Sequence, residues 1–122
     1  MAPIFRLSPG SPLAAAVAED WGLLPLRVPA GWSVVYNELS ARRLPDGSVE
    51  ANDSEDLYWA RTATPRDIGV DVGWYGGQGF RVVLLDPGWE SVRASFTTVD
   101  LEALISTLED WMLRIAVRGE LP

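Results

Sequence analysis

The stretch Ile68–Asp86 does more than any other to limit what this chain can fold into. Ile68, Val70, Val72 and Trp74 alternate with Gly69, Asp71, Gly73 and Tyr75; Gly76-Gly77-Gln78-Gly79 then intervenes, and Phe80, Val82 and Leu84 resume the alternation. A period of two, interrupted by glycines and then restored, specifies a β-hairpin with one apolar face and one open face. Asp71 falls on the open face. The glycines do not make a phosphate loop, which needs a Lys, a Ser/Thr and a helix start where this chain has the strand-like Phe80-Arg81-Val82-Val83. Pro87-Gly88 ends the second arm.

Other elements arrange themselves around this hairpin. Trp32-Ser33-Val34-Val35-Tyr36-Asn37 is β-branched and aromatic and predicts a strand within 31–39. Leu57–Thr62 predicts another, ended by Pro65. Val92, Ala94 and Phe96 alternate with Arg93, Ser95 and Thr97 and predict a further strand. Leu101, Leu104, Ile105, Leu108, Met112 and Ile115 then form one helical stripe. Thr98 can cap that helix. Asp100 and Glu102 suit the positive end of its dipole, Arg114 and Arg118 the other end, and Gly119 a glycine C-cap.

Near the start, Ser11 reads as an N-cap and Pro12 as the first helical position of an Ala-rich helix from Leu13 to Asp20, stopped by Gly22. Residues 1–10 read as an irregular lead-in. Leu23–Pro29, broken by Pro25 and Pro29, reads as an extended connector that either joins the sheet or only lies on the core. The expectation is one α+β domain over 1–122. It has an antiparallel meander of four to five strands, with an N-terminal helix and a long C-terminal helix packed on one face. A hydrophobic fraction of 48% over 122 residues supplies the core for a single domain.

The chain has no His, no Cys and no Lys. That removes the commonest general acid/base, two of the usual covalent nucleophiles, Cys/His metal sites and any disulfide. Ser and Thr hydroxyls have no His or Lys base, so a hydrolase triad cannot be assembled. What remains is hydroxyls, 10 Arg and 17 carboxylates, with a net charge of -7. This inventory points to a binding protein rather than an enzyme, with no cofactor. A carboxylate-based enzyme would need two acids converging in an enclosed pocket. The acidic balance repels nucleic acid and anionic membranes and attracts a basic protein surface. Met1–Arg6 lacks a charged stretch leading into a long apolar run, and Leu13–Val17 is too short to span a bilayer, so a soluble cytoplasmic protein is expected.

Candidate contact residues follow from charge and position. Arg42–Asp56 is the most polar stretch, with Asp46, Glu50, Asp53, Glu55 and Asp56 and no base after Arg43. With its Asp46-Gly47 turn it reads as a long mobile loop, either merely solvated or a docking surface for a basic protein. Its spacing does not reproduce a calcium-binding loop, and no metal is expected. Asp71 on the open face, either merely solvated or a partner-contacting carboxylate, and Tyr75 beside the hairpin tip complete the candidate set. The six tryptophans (Trp21, Trp32, Trp59, Trp74, Trp89 and Trp111) are expected mostly in or beside the core.

Three blocks, taken together, carry a resemblance: Val28-Pro29-Ala30-Gly31-Trp32-Ser33-Val34-Val35-Tyr36-Asn37, then Ile68-Gly69-Val70-Asp71-Val72-Gly73-Trp74-Tyr75, then Ser95-Phe96-Thr97-Thr98 running into Leu101–Met112. Their order resembles small bacterial immunity proteins of polymorphic toxin systems, in which a P-x-G-W-x-V-x-Y-N strand, a D-x-G-W-Y hairpin and a closing helix ending in Trp recur. The turn Gly76-Gly77-Gln78 is shorter and more glycine-rich than the polar turn usual there. The resemblance implies a cytoplasmic protein that binds and blocks one cognate toxin; occlusion of the toxin's active site by the acidic surface, and a monomer or weak homodimer, are expected. A non-catalytic adaptor or secretion-chaperone-like module is the alternative that composition leaves open.

Overall fold

The computed structural model describes residues 2–8, 10–62, 66–87 and 91–119. Along the chain the elements are β1 (Ile4–Phe5), α1 (Pro12–Ala16), β2 (Gly22–Leu23), β3 (Ser33–Asn37), β4 (Ser40–Arg43), β5 (Val49–Ala51), β6 (Tyr58–Thr62), β7 (Ile68–Trp74), β8 (Phe80–Leu85), β9 (Val92–Thr98) and α2 (Leu101–Arg118), with a 3-10 turn at Gly76–Gln78. Pro65, Gly88 and Trp89 lie outside the described residues.

The fold is α+β with two antiparallel sheets, not the single meander expected. The larger sheet has the order β3-β6-β7-β8-β9, and the smaller one β1-β5-β4-β2. The larger is the predicted meander, and β4 and β5 are an excursion between β3 and β6 that builds the second sheet. The hairpin β7–β8 forms as its alternation dictates, with Val70 opposite Leu84 and Val72 opposite Val82. These side chains are fully buried, as are Tyr58 and Ala60 of β6. The α2 stripe Leu101, Leu104, Ile105, Leu108, Met112 and Ile115 is buried in the same cluster. Each such side chain contributes about 1.5–3 kcal/mol of transfer free energy. Trp32 is fixed there by an indole N–H donated to the Met112 carbonyl at 2.9 Å, and the Tyr58 hydroxyl meets Met112 Sδ at 3.6 Å. Burial pushes the Tyr58 phenol up to about 12.

Four expectations are corrected. The polar stretch 42–56 is not a long loop, because Asp46-Gly47 turns a hairpin in which Ala41 pairs with Ala51 and Arg43 with Val49. Small apolar residues face inward there, and the Arg42–Glu50 pair at 2.6 Å lies across the outer side. The N-terminal helix stops at Ala16 rather than Asp20. Val17 turns extended into the core, and the Ala18 carbonyl accepts the Arg43 N–H at 2.6 Å instead of a helical one. The lead-in is not wholly irregular, since it holds β1, which pairs with β5; the connector, for which both courses stood open, joins the smaller sheet at Leu23, where β2 pairs with β4. Finally, Asp100 rather than Thr98 caps α2. Its carboxylate accepts the N–H groups of Glu102 and Ala103, while Thr98 Oγ1 accepts the Asp100 N–H. Gly119 closes the helix at φ 77°, in the left-handed region that suits glycine.

Candidate functional site

On the face of the larger sheet turned away from that core, one register row crosses all the strands. It runs Tyr36, Trp59, Asp71, Val83, Ser95. Asp71 is its centre. Two residues away along β7 on either side, the same face carries glycine, Gly69 and Gly73. A Cβ at Gly69 would stand 2.1 Å from the Trp59 ring, and one at Gly73 would stand 2.2 Å from the Glu55 carbonyl and 3.1 Å from the Tyr75 ring. Both positions need glycine because something lies directly on the strand. Asp71 is therefore flanked by the Trp59 ring on one side and the Tyr75 ring on the other.

Tyr36 reaches this face through a bulge. Val34 pairs with Ala60, an inward residue, and the register then shifts so that Tyr36 pairs with Trp59. Strict alternation from Trp32 and Val34 would turn Tyr36 toward the core, and the extra residue, Val35, reverses it. On the other side, the segment 52–57 is held along β7 by the Trp74 N–H donated to the Ser54 carbonyl and the Leu57 N–H donated to the Val72 carbonyl, each at 2.9 Å. Asn52 and Ser54 side chains shape its turns. These bonds bring Glu55 and Asp56 up to the Asp71 row.

The electrostatics show how closely these groups sit. The Asp71 carboxyl is raised above the ordinary carboxylate value, first by partial burial and then by the charge of Asp56, with Arg81 acting in the opposite sense. The Tyr36 phenol is raised by burial, then by Asp71 and Asp56. The Tyr75 phenol is raised by burial, then by Asp71 and Glu55. Both phenols therefore keep their protons and can donate hydrogen bonds. No hydrogen bond or ion pair reaches the Asp71 carboxylate among the described residues. Elsewhere arginines are matched to acids: Asp46 with Arg6, Glu50 with Arg42, Asp67 with Arg61, Asp86 with Arg66 and Asp110 with Arg114.

The candidate residues thus divide in two. Glu55, Asp56, Asp71 and Tyr75 come together. Asp46 does not: it sits at the β4–β5 tip, and its carboxyl is held low by hydrogen bonds from Ser48 and by Arg6. Glu50 is occupied by Arg42, and Asp53 borders a hollow with Ala2, Trp21, Ser40 and Asn52. Tyr36, Trp59 and Arg81 were not singled out from sequence. The spacing Gly69-x-Asp71-x-Gly73 is the signal that could have found the site, since glycines on the exposed side of a strand mark a close approach.

A groove of about 590 Å³ between α1, residues 25–27 and α2 contains Glu102 and Glu109. Glu102 accepts from the Ser11 hydroxyl at 2.8 Å, and Glu109 from the Arg27 N–H at 2.6 Å, so each acid is engaged in holding the elements together. Among the described residues no three acids gather closely enough to hold a metal ion, and no helix is long and apolar enough to cross a membrane.

Comparison with protein-family models, with curated proteins and with solved structures returns no match. The function has to be read from the site. An acceptor between aromatic rings on an open sheet, with two further acids beside it, suits a group that is cationic and rich in donors.

Proposed function

We propose that this protein is a non-catalytic binding protein of the immunity type. It lays the open face of its larger sheet on a basic bacterial toxin and blocks that toxin's active site by occlusion. One observation carries the reading: Asp71 is partly buried among aromatic rings without a hydrogen-bonding partner among the described residues. Desolvating a carboxylate without pairing it costs free energy, and a basic partner arriving at the open face would offset that cost. The net charge of -7 adds long-range steering toward a basic cleft. Occlusion fits a surface whose acids lie open on a sheet rather than converging in an enclosed pocket. The three sequence blocks that resemble immunity proteins include Asp71, Tyr75 and Tyr36, all members of this surface.

The test is direct inhibition. The purified protein is titrated into the toxin encoded beside its own gene, and toxin activity is followed. Stoichiometric loss of activity supports the reading, and undiminished activity at saturating protein ends it.

A self-associating adaptor is the second reading. Both edge strands of the larger sheet face solvent, with Val35 on β3 and Val92 on β9 exposed. Light scattering separates the two: a tight dimer at low concentration favours the adaptor, and a monomer favours the inhibitor.

A further inference from the structure

The chemistry of the open face can be taken one step further, resting on its reading as a docking surface for a basic protein. We propose that the ground between Tyr36, Trp59 and Tyr75 seats a single arginine side chain of the partner, its guanidinium paired with the Asp71 carboxylate and stacked on the tyrosine rings.

Three observations and one general principle converge on this occupant. The first is charge. Asp71 lies near Asp56, and Tyr36 and Tyr75 also feel Glu38 and Glu55, so the surface around Asp71 is acidic. Arg81 is the cation that acts on Asp71 from within. It stands one register row away, opposite Gly73, and forms no ion pair with it. The second is the vacancy among the chain's own pairs. Surface carboxylates as exposed as Asp46 and Asp67 hold arginines, whereas the more buried Asp71 holds none among the described residues.

The third is shape. Gly69 lets the Trp59 ring lie on the strand at one side of Asp71, and Gly73 lets the Glu55 carbonyl, with the Tyr75 ring next to it, do so at the other. Asp71 is left half-buried on the open face between these groups, where a flat group can lie against the sheet. The fourth is hydrogen bonding. A guanidinium presents donors in a planar fork and stacks on aromatic faces, whereas an ammonium is a compact, strongly hydrated charge that gains less from such walls. Pairing a carboxylate with a planar fork is also the arrangement that best repairs partial burial.

The test uses the full chain and two defined probes, N-acetyl-arginine amide and N-acetyl-lysine amide, followed by NMR at the ring protons of Tyr36 and Tyr75. The arginine probe should shift those signals saturably and bind about threefold more tightly than the lysine probe. Asp71→Asn should weaken the arginine probe about tenfold, whereas Asp110→Asn, which removes the same charge from α2, should leave it unchanged. Tyr75→Ala supplies an independent check if Asp71→Asn perturbs the fold: it should reduce the preference for arginine over lysine. Equal binding of the two probes, shifts elsewhere on the surface, or an unaltered response in Asp71→Asn would overturn the proposal. Toxin inhibition reports separately on the docking reading. If Asp71→Asn still inhibits with full affinity, docking stands and the arginine seat falls. If wild type binds the arginine probe yet leaves the toxin active, the seat stands and the toxin reading falls.

Discussion

Tyr36 stands opposite Trp59 across the β3–β6 ladder, on the face that strict alternation would deny it. One inserted residue, Val35, is responsible. Without it Tyr36 would fall on the same face as Val34 and its partner Ala60. With it, the phenol joins Asp71 and Tyr75 on the open face, where their mutual electrostatic influence is felt. The bulge therefore belongs to the site as much as any side chain does: it exchanges a possible core aromatic for a surface one.

The Trp59 ring above Gly69 gives the first prediction. Gly69→Ala should destabilise the fold by about 1–3 kcal/mol, because the new methyl group would fall on the indole and force it aside. Trp59→Leu removes the obstacle, so adding Gly69→Ala to that variant should cost clearly less than it does in wild type. Urea denaturation of the four proteins measures the coupling. Simple additivity would show that the ring is not what the methyl group meets.

Gly73 should be less forgiving. The atom facing it is the Glu55 carbonyl, part of a backbone held by the neighbouring hydrogen bond from Trp74 to Ser54. A side chain can swing away, but this segment must detach. Gly73→Ala is expected to cost about 2–4 kcal/mol, more than Gly69→Ala, and to move Glu55 and Asp56 away from Asp71. Amide hydrogen exchange at Trp74 and Leu57 reads the detachment. Unchanged protection there, together with a small loss of stability, would contradict it.

Acid dependence follows from Asp71. Its carboxyl is raised in the fold by burial first and Asp56 second, so the folded protein holds that proton more readily than the unfolded chain does. Stability tied to this group is complete below the ordinary value of 3.8 and is lost as pH rises through the raised folded value. Asp71→Asn stands in for the protonated form. It should make the protein more stable than wild type at neutral pH, and the difference should shrink toward zero below 3.8. Denaturation curves of the pair at the two pH values decide the matter. A neutral-pH loss of stability in Asp71→Asn would mean that the ionised carboxylate is favourably held.

The elements legible in the sequence are those whose own period is strong. The β7–β8 hairpin alternates over its whole length, and the α2 stripe repeats through Ile115, so each declares its buried face without help from the rest of the chain. The smaller sheet has no such signature. β1 and β2 are two-residue strands whose pairing depends on where β5 and β4 lie, and nothing local to Ile4 or Leu23 announces it. The truncation of α1 is likewise decided at a distance, by Arg43 taking the Ala18 carbonyl. Of the site, Asp71 and Tyr75 follow from alternation alone. Tyr36 does not, because a bulge is a relation between two strands. Asp46 and Glu50 were grouped with Glu55 and Asp56 by closeness in sequence, and the β4–β5 hairpin then carried the first two away.

That division can be tested on the partner complex with two double variants that change net charge equally. Glu55→Gln with Asp56→Asn neutralises the acids beside Asp71. Asp46→Asn with Glu50→Gln neutralises those on the smaller sheet. Both should slow association to a similar degree, since steering depends on overall charge, and both should lessen its sensitivity to salt. Dissociation should separate them. Removing the acids at the site should speed release about tenfold, while the other pair should leave it nearly unchanged, because contacts made in the complex govern the off-rate. The Asp46→Asn, Glu50→Gln protein also loses the exposed Arg6 pair and the part-buried Arg42 pair, and a denaturation curve shows whether the fold is kept. Surface plasmon resonance against the toxin at several salt concentrations gives both rates. Equal acceleration of release by the two variants would mean that the acids act only through net charge and that the Asp71 face is not where the partner sits.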